Sequence, residues 1–277
     1  MIKLISLDLD GTLLLADHVT VSSENITALS QAAEHGIMVC IATGRTYSVI
    51  QDVLAQLPCV RYCIVSNGAA IVDVITNEII YRSLIPEVQS GGIAHILQSY
   101  TPSEIVCTIF YEGRAYLSSS MLPEFHRALG IGKFADAILR GITPIDDIAD
   151  FCKGKSVEKF TLDYIQKDIR QEFINKVNTL GEFTRSSSFA ENLEINALGT
   201  TKGKALRYLS GLLHIQADET AAFGDSDNDI EMLQWAGFSY AMENALPSVK
   251  EAARYTAPTN TESGVGKVIG AYLRSEP

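Results

Sequence analysis

Asp8 and Asp10 follow an apolar run, Ile2 to Leu7, and precede Gly11 and Thr12. Charged side chains at the end of a buried strand are costly unless a metal, an ion partner or chemistry uses them. Residues two apart in extended backbone point to one side, so these carboxylates can share one site. At that separation they repel, and a divalent cation between them removes the conflict. Taken alone, such a pair more often caps a helix or binds nothing.

Further polar stations follow in a fixed order. Thr43-Gly44 closes the apolar run Ile37 to Ala42, offering a hydroxyl and a backbone N–H at an expected helix start, either as phosphate ligands or simply as a cap. Lys202 lies at another expected helix start, where a cation opposes the helix dipole unless it neutralises an anion. Gly224-Asp225-Ser226-Asp227-Asn228-Asp229 places three Asp in five residues behind a buried strand, a pattern that invites a hard cation. A calcium loop is excluded: the later glycine and the bidentate Glu are missing, and a strand rather than a helix precedes it. The stations together describe a magnesium-dependent phosphoryl-transfer site.

The elements that must position them alternate. A helix is expected near 22–35, with Ser22 as N-cap and Gly36 ending it. A second is expected near 46–57, a strand at 62–65, and a hairpin from Ala70 to Tyr81 turning at Thr76-Asn77. The rhythm resumes with helices near 202–214, 227–236 and 246–253 and strands at 220–223, 238–242 and 255–257. Near-continuous apolar strands of this kind suit a parallel sheet covered on both faces, whose ligands bind at the carboxyl edge. Residues 84–196 read differently, with hairpin strands either side of Glu112-Gly113-Arg114, a strand from Val157 to Tyr164, a helix over 167–179 and two strands around Ser186-Ser187-Ser188. The expected fold is therefore α/β, a Rossmann-like parallel-sheet core (1–83 and 197–277) with an inserted α+β cap (84–196).

The chain has 277 residues, 47% hydrophobic and 20% charged, and a formal charge of −11, so it is expected to hold one large domain or two ordinary ones. No basic run interrupts that balance, which argues against a nucleic-acid partner. The amino terminus does not read as a secretory leader, since Asp8 and Asp10 break its apolar stretch, and no run is long enough to span a membrane. Five cysteines with no completing His or Cys cluster suggest reduced, buried thiols in the cytoplasm rather than zinc ligands. No seam points to a dimer, so a monomer or weak homo-oligomer is expected.

Asp8-Leu9-Asp10-Gly11-Thr12-Leu13, Ala42-Thr43-Gly44-Arg45, Ser66-Asn67-Gly68-Ala69, Leu193-Glu194-Ile195, Lys202-Gly203, Gly224 to Asp229 and Met242-Glu243-Asn244-Ala245 occur in this order. The whole chain thereby resembles the haloacid dehalogenase-like (HAD) phosphohydrolases, in particular the Cof-like branch with a large α/β cap. The resemblance implies that Asp8 is the nucleophile forming an aspartyl-phosphate, and that Asp10 is the acid, then the base. It implies Mg2+ held by the Asp8 carboxylate, the Asp10 carbonyl and Asp225, with Ser226 or Asp229 in or near the shell. Thr43, Gly44, Lys202, Asn228 and the Leu9 N–H would grip the phosphoryl oxygens. The implied activity is hydrolysis of small phosphorylated metabolites such as sugar phosphates, with a hexose phosphomutase or a non-catalytic phosphometabolite sensor as alternatives. Arg45 and the cap loops 112–114 and 186–188 are candidate substrate contacts, though the loops serve equally as ordinary turns.

Overall fold

The computed structural model of the chain describes residues 1–129, 133–187 and 192–275. In chain order its strands are β1 (Leu4–Leu7), β2 (Met38–Ala42), β3 (Val60–Val65), β4 (Ala70–Asp73), β5 (Glu78–Arg82), β6 (Ile105–Tyr111) and β7 (Arg114–Ser118). They continue with β8 (Ile142–Ile145), β9 (Lys159–Ile165), β10 (Phe183–Ser186), β11 (Leu193–Ala197), β12 (Thr220–Gly224), β13 (Phe238–Met242) and β14 (Tyr255–Ala257). The chain separates into one unit of Met1–Arg45, Ile50–Tyr81 and Thr201–Pro277, and another of Thr46–Val49 and Arg82–Thr200.

The first unit is built on an eight-stranded sheet, ordered β14-β13-β12-β1-β2-β3-β4-β5. From β14 to β3 neighbouring strands run parallel, and β4 turns back antiparallel to β3. β1 is central and wholly buried, as its run of Leu, Ile and Ser requires once neighbours cover both faces. Because β12 and β2 flank it in parallel, the residues after all three strands emerge at one edge of the sheet. Asp8, Thr43 and Asp225 are those residues.

Helices form largely where the apolar spacing placed them. Ser23–Glu34 is capped by Ser22, whose hydroxyl accepts from the Asn25 amide at 3.2 Å. Lys202–Leu212 is capped by Thr201, and its apolar stripe of Ala205, Leu206 and Leu209 is buried. The helix expected over 46–57 is instead two short pieces, a tight turn at Tyr47–Ile50 and a helix at Gln51–Leu54. Val49 explains the break, because it packs with Phe110 and Ala115 in the second unit instead of continuing a helical stripe. The terminal helix Gly264–Ser275, which packs on Ser23–Glu34, is an element that the sequence reading did not single out.

The second unit carries a six-stranded sheet, ordered β10-β11-β9-β6-β7-β8, antiparallel except where β7 meets β8. Its core includes Ile93, Leu97, Phe125, Phe160 and Phe173, drawn from strands and from helices at Glu87–Leu97, Leu122–Leu129 and Lys167–Asn178. The first two of those helices are also additions to the sequence reading. Glu112 and Gly113 form the two-residue turn of the β6–β7 hairpin, both with positive φ, in keeping with a turn role. Ser186 ends β10, and Ser188 lies outside the described residues.

Candidate active site

Asp8, Asp10, Thr43, Lys202, Asp225 and Asp229 all lie in the first unit. Asp8 leaves β1 with its amide bonded to the Phe223 carbonyl at 3.1 Å, which pins the carboxylate between β1 and β12. The chain then makes one wide turn over Leu9–Leu13, in which Asp10 and Gly11 depart from helical angles. Gly11 has φ +77°, and a Cβ there would collide with the Asp225 carboxylate. Leu9 is fully buried between the two acids, so its side chain anchors the turn in the core.

Lys202 Nζ donates to Asp8 Oδ1 at 2.6 Å and to Asp229 Oδ1 at 2.8 Å, with the lysine side chain 1% exposed. The anion expected to tolerate a lysine at this helix start is thus supplied by the protein itself. Asp229 also accepts, through Oδ2, from the amides of Asp225 and Ser226 at 3.1 Å each, so it organises the loop as well as facing Lys202. Asp225 is held by Thr12 Oγ1 at 3.0 Å and by Ser226 Oγ at 3.3 Å. Asp8, Asp225 and Asp229 each place a carboxylate oxygen within 4.8 Å of the others.

The charge balance of this cluster is strained. Burial pushes the Asp8 pKa well above the usual carboxylate range; Lys202 opposes that shift, while Asp229, Asp225 and Asp10 add to it. Burial, with Asp229, raises Asp225 to about 6. Burial also works against the Lys202 ammonium, yet Asp229 and Asp8 outweigh it and keep its pKa above the ordinary value. An oxygen-only set with more carboxylates than cations fits a hard divalent ion such as Mg2+.

Asp10 faces a different environment. Its Oδ2 accepts from Arg45 Nε at 2.9 Å, Arg45 Nη2 also bonds Oδ1, and His18 Nδ1 meets Oδ1 at 2.8 Å. Partial burial alone would raise its pKa, but Arg45 and His18 bring it down to about 2. The Asp10 carboxylate therefore does not join the three-carboxylate group. Arg45, expected as a substrate contact, is seated on Asp10.

The Thr43 hydroxyl caps no helix; it accepts from the Arg45 amide at 3.1 Å. Ser66 and Asn67 both have positive φ, and their amides donate to the carbonyls of Arg45 at 2.9 Å and Thr43 at 3.1 Å. Asn67 Oδ1 accepts from Asn228 Nδ2 at 3.2 Å, while Asn228 Oδ1 is buried without a hydrogen-bond partner among the described residues. The turn after β3 therefore links the Thr43-Gly44 loop to Asn228. Asn67 and His18 carried no assigned role in the sequence reading: Asn67 lay in a quoted motif, and His18 was not singled out. The available signal for His18 was the Asp17 that precedes it, a turn-forming residue.

A haloacid dehalogenase-like hydrolase family profile matches residues 5–269. The chain is a haloacid dehalogenase-like hydrolase. It is 32% identical over 268 residues to the 5-amino-6-(5-phospho-D-ribitylamino)uracil phosphatase YcsE of Bacillus subtilis, covering 97% of this chain and 94% of that one. It is 30% identical to the HMP-PP phosphatase of Serratia proteamaculans, covering 90% and 87%. Among solved structures, a haloacid dehalogenase-like hydrolase from B. subtilis superposes with a TM-score of 0.84 at 27% identity, covering 97% of this chain and 99% of that one. The HAD subclass IIB sugar phosphatase BT4131 gives 0.80 at 25% identity, covering 98% and 99%. The HAD hydrolase is thus an enzyme of the phosphatase kind, with a parallel-sheet core and an inserted cap. No described helix is long and apolar enough to cross a membrane.

Proposed function

We propose that this HAD phosphatase hydrolyses small phosphorylated metabolites, with sugar phosphates and similar polyhydroxylated phosphomonoesters as the leading substrate class, through an aspartyl-phosphate on Asp8. The observation that carries the reading is the buried Asp8–Lys202–Asp229 group beside Asp225. A binding module has no need of a buried nucleophile beside a separately housed acid. Two relatives, a 5-amino-6-(5-phospho-D-ribitylamino)uracil phosphatase and a sugar phosphatase, support the substrate class.

In this mechanism Asp8 Oδ attacks phosphorus in line as the bond to the ester oxygen breaks. Lys202, Thr43, Asn228 and the amides of Leu9 and Gly44 hold the equatorial oxygens as charge redistributes. Asp10 gives its proton to the departing alcohol and then takes one from the water that attacks the aspartyl-phosphate. For the first of these steps Asp10 must be protonated, which requires Arg45 to loosen its hold. Asp8, the Asp10 carbonyl and Asp225, with Ser226 or Asp229 nearby, would hold Mg2+, which when bound offsets the repulsion between anionic nucleophile and anionic ester. The cap would select the rest of the substrate and exclude water.

The test is release of inorganic phosphate from a broad panel of metabolite phosphoesters, with Mg2+ and with chelator, for parent and Asp8→Asn. Metal-dependent release that disappears in the variant supports the reading. Folded parent protein that releases phosphate from none of them overturns it.

A further inference from the structure

We infer that His18 is a positioning residue for Asp10: its imidazole keeps Oδ1 of the acid–base carboxyl in place while Oδ2, once released by Arg45, carries the proton. This rests on the role proposed above for Asp10. Asp10 lies in a turn that leaves helical geometry at Asp10 itself (φ −77°, ψ 120°) and again at Gly11, so the local backbone does little to fix its side chain. Its side chain is also 34% exposed, unlike the buried Asp8. The carboxylate is held from outside, by His18 Nδ1 on Oδ1 at 2.8 Å and by Arg45 across both oxygens.

The loop carrying His18 is built to present it. His18 has φ +57°, a conformation that costs a non-glycine residue energy and persists only when its surroundings enforce it. Asp17 supplies that enforcement, accepting from the amides of Val19 at 3.1 Å and Thr20 at 2.9 Å and from Thr20 Oγ1 at 2.6 Å. A bridge between Leu14 and Val21 closes the loop, and Gln56 bonds both Val19 O and Val21 N. Arg45 Nη2 donates to the His18 carbonyl at 2.9 Å, so one guanidinium ties the backbone of His18 to the carboxylate its ring holds.

The chemistry that depends on this orientation is proton transfer to the leaving oxygen. As Asp8 bonds to phosphorus and the P–O ester bond breaks, the Asp10 proton passes to that oxygen and the alcohol leaves neutral. A displaced Asp10 therefore hurts esters with poor leaving groups far more than esters with good ones. Because kcat/KM covers only steps through departure of the leaving group, the later base role of Asp10 does not enter it.

The experiment compares kcat/KM for phenyl phosphate and 4-nitrophenyl phosphate in parent, His18→Gly, His18→Asn and Asp10→Asn, each checked for an unchanged fold by circular dichroism. Glycine keeps the backbone conformation and removes the ring; asparagine tolerates the same φ and puts an amide nitrogen where Nδ1 stood. His18→Gly is expected to lose about 10–100-fold on phenyl phosphate, within the span of general-acid effects, and under about 3-fold on the nitrophenyl ester, with His18→Asn recovering most of the loss. Equal losses on both esters, or no loss on either, would overturn the positioning role. If Asp10→Asn itself fails to discriminate between the esters, the proposed role of Asp10 falls, and this inference falls with it.

Discussion

Lys202 Nζ and Asp8 Oδ1 lie 2.6 Å apart, with the lysine almost wholly withdrawn from solvent and shared with Asp229. Removing one partner from a buried ion pair leaves the other charge uncompensated, typically at a cost of about 3–5 kcal/mol. Lys202→Met is therefore expected to destabilise the protein by about that amount in urea unfolding. Adding Asp8→Asn should return part of the loss, because it removes a charge left unpaired. Additive losses in the double variant would show that the pair is not coupled.

The hydroxyl of the buried Thr12 donates to Asp225 Oδ1 at 3.0 Å. Outer partners that orient a metal ligand are commonly worth about 10–100-fold in metal affinity. Thr12→Val should accordingly raise the Mg2+ concentration giving half-maximal phosphatase rate by roughly that factor, with little change in rate at saturating Mg2+. An unchanged Mg2+ requirement would remove Asp225 from the proposed metal shell.

Asp163 predicts a pH dependence of stability in the cap. Burial raises its pKa to about 7, against the Thr108 hydroxyl at 2.6 Å and the charge of Lys159, while Glu194 adds to the rise. A carboxyl whose folded pKa exceeds its unfolded one binds more protons in the native state. Its contribution therefore falls as pH rises from about 4 to about 7 and is level on either side. Asp163→Asn should make the protein relatively more stable than the parent as pH increases through that window, measured as the difference between urea midpoints. A difference that is constant with pH would contradict it.

Asp8, Thr43 and Asp225 were legible because each follows a short apolar run at a strand end, where a polar residue has little structural excuse, and Lys202 because a cation opens its helix. Asp8, Thr43 and Asp225 follow three strands at one edge of the sheet, and Lys202 meets Asp8 there from its helix start. The partners of Asp10 were not legible. Arg45 is 35 residues away and His18 lies in an irregular loop, so no period connects either to it. The helix expected over 46–57 failed for a related reason: Val49 is an apolar residue whose packing partners, Phe110 and Ala115, lie far along the chain. Local spacing reports that a residue is buried and leaves open against what.

The central claim is that Asp8 carries the phosphoryl group. Rapid quenching during turnover of the best substrate, followed by borohydride reduction and peptide mass mapping, tests this directly. The account predicts a reduced acyl-phosphate product at Asp8, formed in the parent and absent from Asp8→Asn. Sustained phosphate release with no modification at Asp8, or with the modification on another residue, would contradict it.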